Sequence, residues 1–249
     1  SNNITLDKDY SSVSVVIYDK ALNSKSINCS MKEDIIKYES KFELYSISPS
    51  NGVKMSYWVN VPEGAHDNGR LVMFLHADGA ANRPYTVKEY IPVNFPEKYQ
   101  GDKYILIAPV ANEDDWTRSA TIRTLKAILD KVADEYKVNK DEIYITGFSR
   151  GAIGTWVLAN AYPGYFRGAM PVSCCGRIDG KNFKNMRVLA ISGTSGQEGK
   201  YISCMQKNVD KILAAGGVAD KITYPGYGHG DTYSKMDYQG AFDWLFSKE

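Results

Sequence analysis

Three features of this 249-residue chain predict an α/β fold with a mostly parallel central sheet. First, five short runs of nearly continuous apolar residues, 71–75, 104–110, 143–146, 169–173 and 188–191, read as strands covered on both faces. Second, these alternate with segments of helical period. The clearest is 119–136, where Ile122, Leu125, Leu129, Val132 and Tyr136 recur at three- and four-residue spacing. Third, the sequence Gly147-Phe148-Ser149-Arg150-Gly151 stands between the run at 143–146 and a helix expected over 152–161. Strand, sharp turn and helix is the context in which Gly-x-Ser-x-Gly carries chemistry. Alternation of this kind places helices on both faces of the sheet. Ligands in such sheets bind beyond the carboxyl ends of the strands.

Composition fits a globular protein with a sizeable core: 43% of residues are hydrophobic and 24% charged. The formal net charge is +1, from 30 basic and 29 acidic residues, which favours neither nucleic acid nor an anionic membrane as partner. No apolar run approaches the roughly 20 residues that cross a bilayer as a helix. The chain reads as an extension over 1–50, packed on the sheet edge, and a main domain over 51–249, with the buried-strand pattern beginning at residue 70.

Along the chain, 13–18 reads as a strand, 23–28 as polar and turn-like, and 31–37 as a short helix. Runs 41–47 and 53–61 alternate apolar and polar residues on either side of Asn51-Gly52. They read as an antiparallel hairpin at the sheet edge. Residues 80–100, with Pro84, Pro92 and Pro96, read as a long loop. A helix over 201–215 is closed by Gly216-Gly217, a last strand is expected at 221–224, and 225–230 reads as loop before a terminal helix at 236–246. The loops after Leu75, Val110, Thr146, Ile191 and Tyr224 should converge at one end of the sheet.

Ser149 is the candidate nucleophile at that end, with Gly147 and Gly151 flanking it because a Cβ at either would meet a neighbouring element. A serine hydroxyl needs a base within hydrogen-bond reach. Of the three histidines, His229 follows the last strand on the same side as Ser149; His66 lies in a polar turn at the opposite end, and His76 suits the pinning of its own loop. A tetrahedral intermediate also needs donors: the N–H of Arg150, and that of Ala77 or Asp78 in the loop after the first buried strand. Glu198 is the one carboxylate in the loop after 188–191 and the first choice to orient His229; Asp179 is the second, while Asp231 lies too near His229 in sequence to do so. Trp116 is a candidate stacking platform or else a cap on the core, and Tyr227 a candidate wall of the cleft. Arg150 suits an anionic substrate group or a surface ion pair. The four cysteines lack zinc spacing. Cys174 and Cys175 read first as buried free thiols, and a bridge from Cys204 to one of them is the alternative. No metal or organic cofactor is expected.

With these segments in place the chain resembles the α/β-hydrolase superfamily, in particular secreted esterases and predicted peptidases related to poly(3-hydroxybutyrate) depolymerases and feruloyl esterases. The resemblance rests on 71–79, 108–116, the stretch from Asp141 through Ser149-Arg150-Gly151 to Gly154-Thr155-Trp156, Tyr224-Pro225-Gly226-Tyr227-Gly228-His229, and the closing helix with Trp244-Leu245-Phe246. It covers roughly residues 53 to 249. It implies Ser149 as nucleophile, His229 as base, and the N–H groups of Arg150 and of Ala77 or Asp78 as oxyanion donors. Three positions depart from the family pattern: His76 is followed by Ala77 rather than Gly, Gly151 by Ala152 rather than a second Gly, and the place of the family's aspartate falls at Gly196.

The resemblance leads to the expectation of a serine hydrolase acting on carboxylic esters through an acyl-enzyme, with a small-molecule or carbohydrate-linked ester, feruloyl or acetyl in type, as substrate. A serine peptidase, and a catalytically impaired binding protein that keeps the fold, are the alternatives. Together with an amino terminus lacking Met, the resemblance also leads to the expectation of a secreted or extracytoplasmic protein.

Overall fold

Strands without a polar face must be covered on both sides, and in the computed structural model the apolar runs sit at the middle of an eight-stranded sheet. The structure describes residues 14–18, 24–28, 42–62, 65, 68–91, 103–113 and 115–247. The chain divides into two compact units, Ser1–Phe42 and Glu43–Glu249. In the first, β1 (Ser14–Tyr18) and β2 (Ser24–Asn28) pair antiparallel, Ser14 opposite Asn28 and Tyr18 opposite Ser24. The turn expected at 23–28 is therefore mostly strand. Its polar residues obscured the signal, and cross-strand pairing with β1 supplies what local pattern lacked. The helix expected at 31–37 lies outside the described residues.

The second unit contains β3 (Phe42–Ile47), β4 (Met55–Asn60), β5 (Arg70–Leu75), β6 (Tyr104–Val110), β7 (Ile143–Phe148), β8 (Gly168–Val172), β9 (Arg187–Gly193) and β10 (Val218–Tyr224). Their spatial order is β10-β9-β8-β7-β5-β6-β4-β3. Neighbours from β10 to β6 run parallel, and β4 pairs antiparallel with β6. β3 lies beside β4 at the edge, and Gly52 N–H donates to Pro49 C=O in the turn that joins them. β5, β6, β8 and β9 are buried along their whole length, whereas the edge strands β3 and β10 are not.

Two-residue periodicity sorts the buried side chains onto two faces. Leu71, Met73, Leu75, Ile105, Ile107, Ile143 and Ile145 join one core with α2 (Ser119–Glu135), α3 (Arg150–Ala161) and α4 (Gly199–Ala214). The intervening Phe74 and Tyr144 meet Tyr233 of α5 (His229–Lys235) and Phe246 of α6 (Tyr238–Phe246) on the other face. Two elements differ from expectation. The loop at 80–100 contains α1 (Pro84–Tyr90), where Pro84 occupies the first turn, a position that needs no N–H donor. The loop after β10 turns into α5 at His229 itself. Among the described residues no helix is long and apolar enough to cross a membrane.

Candidate active site

The turn between β7 and α3 is tight because two glycines let three chain segments approach. A Cβ on Gly151 would lie 1.8 Å from the Leu75 carbonyl oxygen, and one on Gly147 would lie 2.4 Å from the Gly151 carbonyl oxygen. Ser149, between them, has φ 58° and ψ −118°, a strained left-handed conformation for a residue with a side chain. Strain of that kind holds the serine hydroxyl out at the carboxyl end of the sheet.

His229 reaches this hydroxyl from the start of α5. Ser149 Oγ lies 2.9 Å from His229 Nε2, and His229 Nδ1 lies 2.6 Å from Glu198 Oε1. The carboxylate accepts only, so Nδ1 carries the proton and donates to it; Nε2 is left to accept from Ser149. Glu198 is fully buried, whereas 25% of the His229 side-chain surface stays exposed. The carboxylate is thus dry and the imidazole open to a ligand. Burial alone raises the Glu198 pKa, but hydrogen bonds from His229, from Ser192 and from the Gly193 N–H outweigh it and hold the carboxyl below its ordinary value. Ser173 also contributes to that lowering, although its buried hydroxyl makes no hydrogen bond of good geometry.

Glu198 closes the short 3-10 turn Gly196–Glu198 that leads into α4. It therefore reaches His229 from two residues beyond Gly196, where the family pattern has its aspartate. Gly193 makes this possible on the other side: a Cβ there would lie 2.1 Å from the Tyr227 carbonyl oxygen, so only a glycine lets the loop before His229 cross the end of β9. Asp179, the other acid considered, caps the 3-10 turn Gly180–Phe183, is exposed, and accepts from Lys181 N–H. Asp231 pairs with Lys235 at 2.7 Å.

The loop after β5 is tied down from within. His76 is fully buried; its Nε2 accepts from Ala111 N–H at 3.1 Å, so Nδ1 carries the proton and donates to the Ala77 carbonyl at 2.7 Å. That carbonyl faces the His76 ring, and a trans peptide then directs the Asp78 N–H away from it. Asp78 pairs with Arg150 at 3.1 Å, joining the two segments expected to supply oxyanion donors, so the Arg150 side chain forms a surface ion pair.

Trp116 is 1% exposed, donates its indole N–H to the His76 carbonyl, and packs against Gly154. It caps the core, and the stacking-platform reading is corrected: its ring has no free face. Tyr227 stacks on Tyr224, with centroids 5.3 Å apart, and its carbonyl accepts from Ser195 N–H. The aromatic rings beside His229 are instead Phe148 at 4.6 Å and Tyr201 at 6.5 Å. Phe148 was legible as the residue before the nucleophile. Tyr201 shares a helix face with Met205, Val209 and Ile212 at three- and four-residue spacing, so its orientation was legible, but not its nearness to His229. Ser192 left a fainter signal, a hydroxyl ending an otherwise apolar strand.

The cysteine reading also changes. Cys175 and Cys204 form a disulfide, Cα–Cα 6.1 Å, and Cys174 is the buried free thiol. Ser173 adopts φ 60° after β8, so the chain leaves the strand and turns Cys175 toward α4. Cys29 and His66 lie outside the described residues. Among those described, no cluster of three His, Cys, Asp or Glu residues could hold a metal.

No family model matches the chain. It is 28% identical over 194 residues to poly(3-hydroxyalkanoate) depolymerase C of Paucimonas lemoignei, a match covering 74% of this chain and 42% of that protein, so the chain spans less than half of this relative. Among solved structures it is similar to a thermostable esterase (22% identity, 93% of this chain and 70% of the other, TM-score 0.74). It is also similar to an S-formylglutathione hydrolase from Agrobacterium tumefaciens (11%, 81% and 93%, TM-score 0.60) and to the feruloyl esterase module from Clostridium thermocellum (12%, 83% and 87%, TM-score 0.53). With the parallel sheet, its antiparallel edge and the strained serine turn, these likenesses make the chain an α/β-hydrolase in fold, resembling esterases.

Proposed function

We propose that this protein is a serine hydrolase that cleaves carboxylic esters through an acyl-enzyme. The observation that carries the reading is the continuous hydrogen-bonded series from Ser149 through His229 to Glu198, at the end of the sheet where ligands bind. The esterase neighbours and the depolymerase relative support hydrolase chemistry.

In this reading Ser149 Oγ attacks the ester carbonyl carbon while its proton passes to His229 Nε2. Glu198 stays ionised and stabilises the imidazolium through Nδ1–H. The tetrahedral oxyanion takes hydrogen bonds from the Arg150 N–H and from the loop after β5. There the Asp78 N–H is the better-placed donor, because the Ala77 carbonyl is drawn to His76. The intermediate expels the alcohol, which recovers the proton from His229. Water, activated by the same imidazole, then frees the acid and restores Ser149. The exposed side of His229, bordered by Phe148 and Tyr201, accepts the substrate. Esters attached to carbohydrate, feruloyl or acetyl in type, and the polyester of the depolymerase relative form the panel to screen. The Cys175–Cys204 disulfide supports an oxidising, extracytoplasmic setting.

The test is hydrolysis of p-nitrophenyl acetate by wild type and Ser149→Ala, with labelling of both by a fluorophosphonate. Turnover and stoichiometric labelling by wild type alone are expected. Equal activity of the two proteins, or neither turnover nor labelling of wild type, sinks the reading. Faster cleavage of a peptide amide than of the matching ester would move it to a peptidase.

A further inference from the structure

A glutamate has one more rotatable bond than the aspartate it stands in for, and only some of its rotamers aim an oxygen at His229. Side-chain freedom of that kind has to be removed by contacts. Here the carboxylate is held from β9. Glu198 Oε2 accepts from Ser192 Oγ at 2.8 Å and from Gly193 N–H at 3.1 Å, which leaves Oε1 to face His229. Ser192 is itself fully buried, so its hydroxyl has no water to turn to.

We propose, resting on the function above, that Ser192 is a positioning residue for the hydrolysis: with the Gly193 N–H it fixes Glu198 in the rotamer that orients His229. The device explains how a carboxylate two residues beyond the family's aspartate position comes to the right place. The added methylene spans the distance, and the second oxygen is anchored so that the first cannot swing away. The other titratable groups that act on Glu198 are the Cys174 thiol after β8 and the Tyr201 hydroxyl on α4. Burial pushes both the thiol and the phenol up.

The experiment is a double-mutant cycle on p-nitrophenyl acetate hydrolysis with wild type, Ser192→Ala, Glu198→Gln and the double variant, alongside melting temperatures and pH profiles. Loss of a hydrogen bond to a charged group corresponds to a fall in kcat of about ten-fold or more for Ser192→Ala, with KM little changed. In the Glu198→Gln background the same substitution should change kcat less than about two-fold, because the anchored charge is already gone. The acid limb of kcat/KM should move to lower pH in Ser192→Ala: once its anchor is gone Oε1 swings away, and the imidazolium loses part of the charge that stabilises it. A merely structural serine would lower the melting temperature, leave the limb in place and act alike in both backgrounds; that outcome, or an unchanged kcat, overturns the proposal. If Glu198→Gln is impaired and Ser192→Ala is not, the Ser192 proposal falls alone. If Glu198→Gln keeps wild-type kcat, Glu198 is not the orienting acid and the Ser192 proposal falls with it, while the hydrolase reading still stands or falls on Ser149→Ala.

Discussion

The two ends of the central sheet both carry buried ionisable groups, and they use them in opposite ways. At the amino ends of the strands, Arg70 pairs with Glu142 at 2.9 Å, and Tyr144 donates to the same Glu142 oxygen at 3.0 Å. The Arg70 guanidinium also lies 4.0 Å from the centroid of Phe246, while Arg187 donates to the Trp244 carbonyl and stacks on its ring at 4.4 Å. These contacts fasten α6 to the start of the sheet. Tyr144 is pushed up to about 12, first by burial and then by the Glu142 charge, so it keeps its proton across the working range. At the carboxyl ends the series Ser149, His229, Glu198 contains a strained serine, an imidazole with an open side and a carboxylate held ionised. The amino end is a clamp whose charged groups are mostly covered. The carboxyl end is a hydrogen-bonded series with one side left open. Burial alone does not single out a candidate site; burial of an ionisable group next to an accessible one does.

The comparison breaks most visibly at Ser149. Ser149→Ala should lower kcat by about 10⁶-fold if nucleophile and base act as a unit, with a melting temperature equal to or above wild type, because strain at a left-handed residue is not increased. Esterase kinetics beside a thermal scan check both halves. Glu198→Gln should cost about 10⁴-fold in kcat, as loss of an orienting carboxylate does elsewhere. Opening the Cys175–Cys204 bridge, 29 residues apart, frees a loop whose closure entropy corresponds to about 4 kcal/mol in the chain-entropy model. Denaturant titration with and without a phosphine reductant measures it.

The clamp gives the converse pattern. Glu142→Gln leaves the Arg70 charge without its carboxylate and should cost about 3 kcal/mol of stability with kcat unchanged at 25 °C. A comparable fall in kcat in a fully folded variant would erase the distinction between the two ends. The smallest effect concerns acid. Glu198 has a folded pKa below its ordinary 4.5, so its stabilising contribution is complete above that value and is lost as pH falls through the folded value. The gap in melting temperature between wild type and Glu198→Gln should therefore be constant from neutral pH to about 4.5 and narrow below it. A gap that widens in acid would reverse the direction of the shift.

Much of this was legible before any coordinates. The apolar runs from Leu71 to Ile191 announced the buried strands, and the glycines around Ser149 announced the turn. His229 followed from its place after the last strand. The helix at Pro84–Tyr90 was not legible, since three prolines in the surrounding stretch outweighed a short and weakly patterned element. Nor was β2, whose residues are polar and whose reason for being extended is its partner strand. Trp116, in a loop at the carboxyl end of the sheet, read equally as a stacking platform or a cap on the core. Only the path of His76 beneath that loop shows that the indole points inward.

Local sequence determined what depends on residues close together in the chain: strand period, helix period, the tight turn at Ser149 and the glycine stops. Those signals act over a few bonds, through sterics and the alternation of side chains. The tertiary structure decided what depends on distance in space: that Glu198 rather than Asp179 meets His229, that Ser192 and Gly193 hold its second oxygen, and that Cys175 rather than Cys174 bonds Cys204. The first and last of those choices rest on contacts between positions 31 and 29 residues apart, and the second on how the turn after β9 folds back on the strand end. The direction in which one side chain leaves a turn sets each contact, and no pattern within a single segment records it.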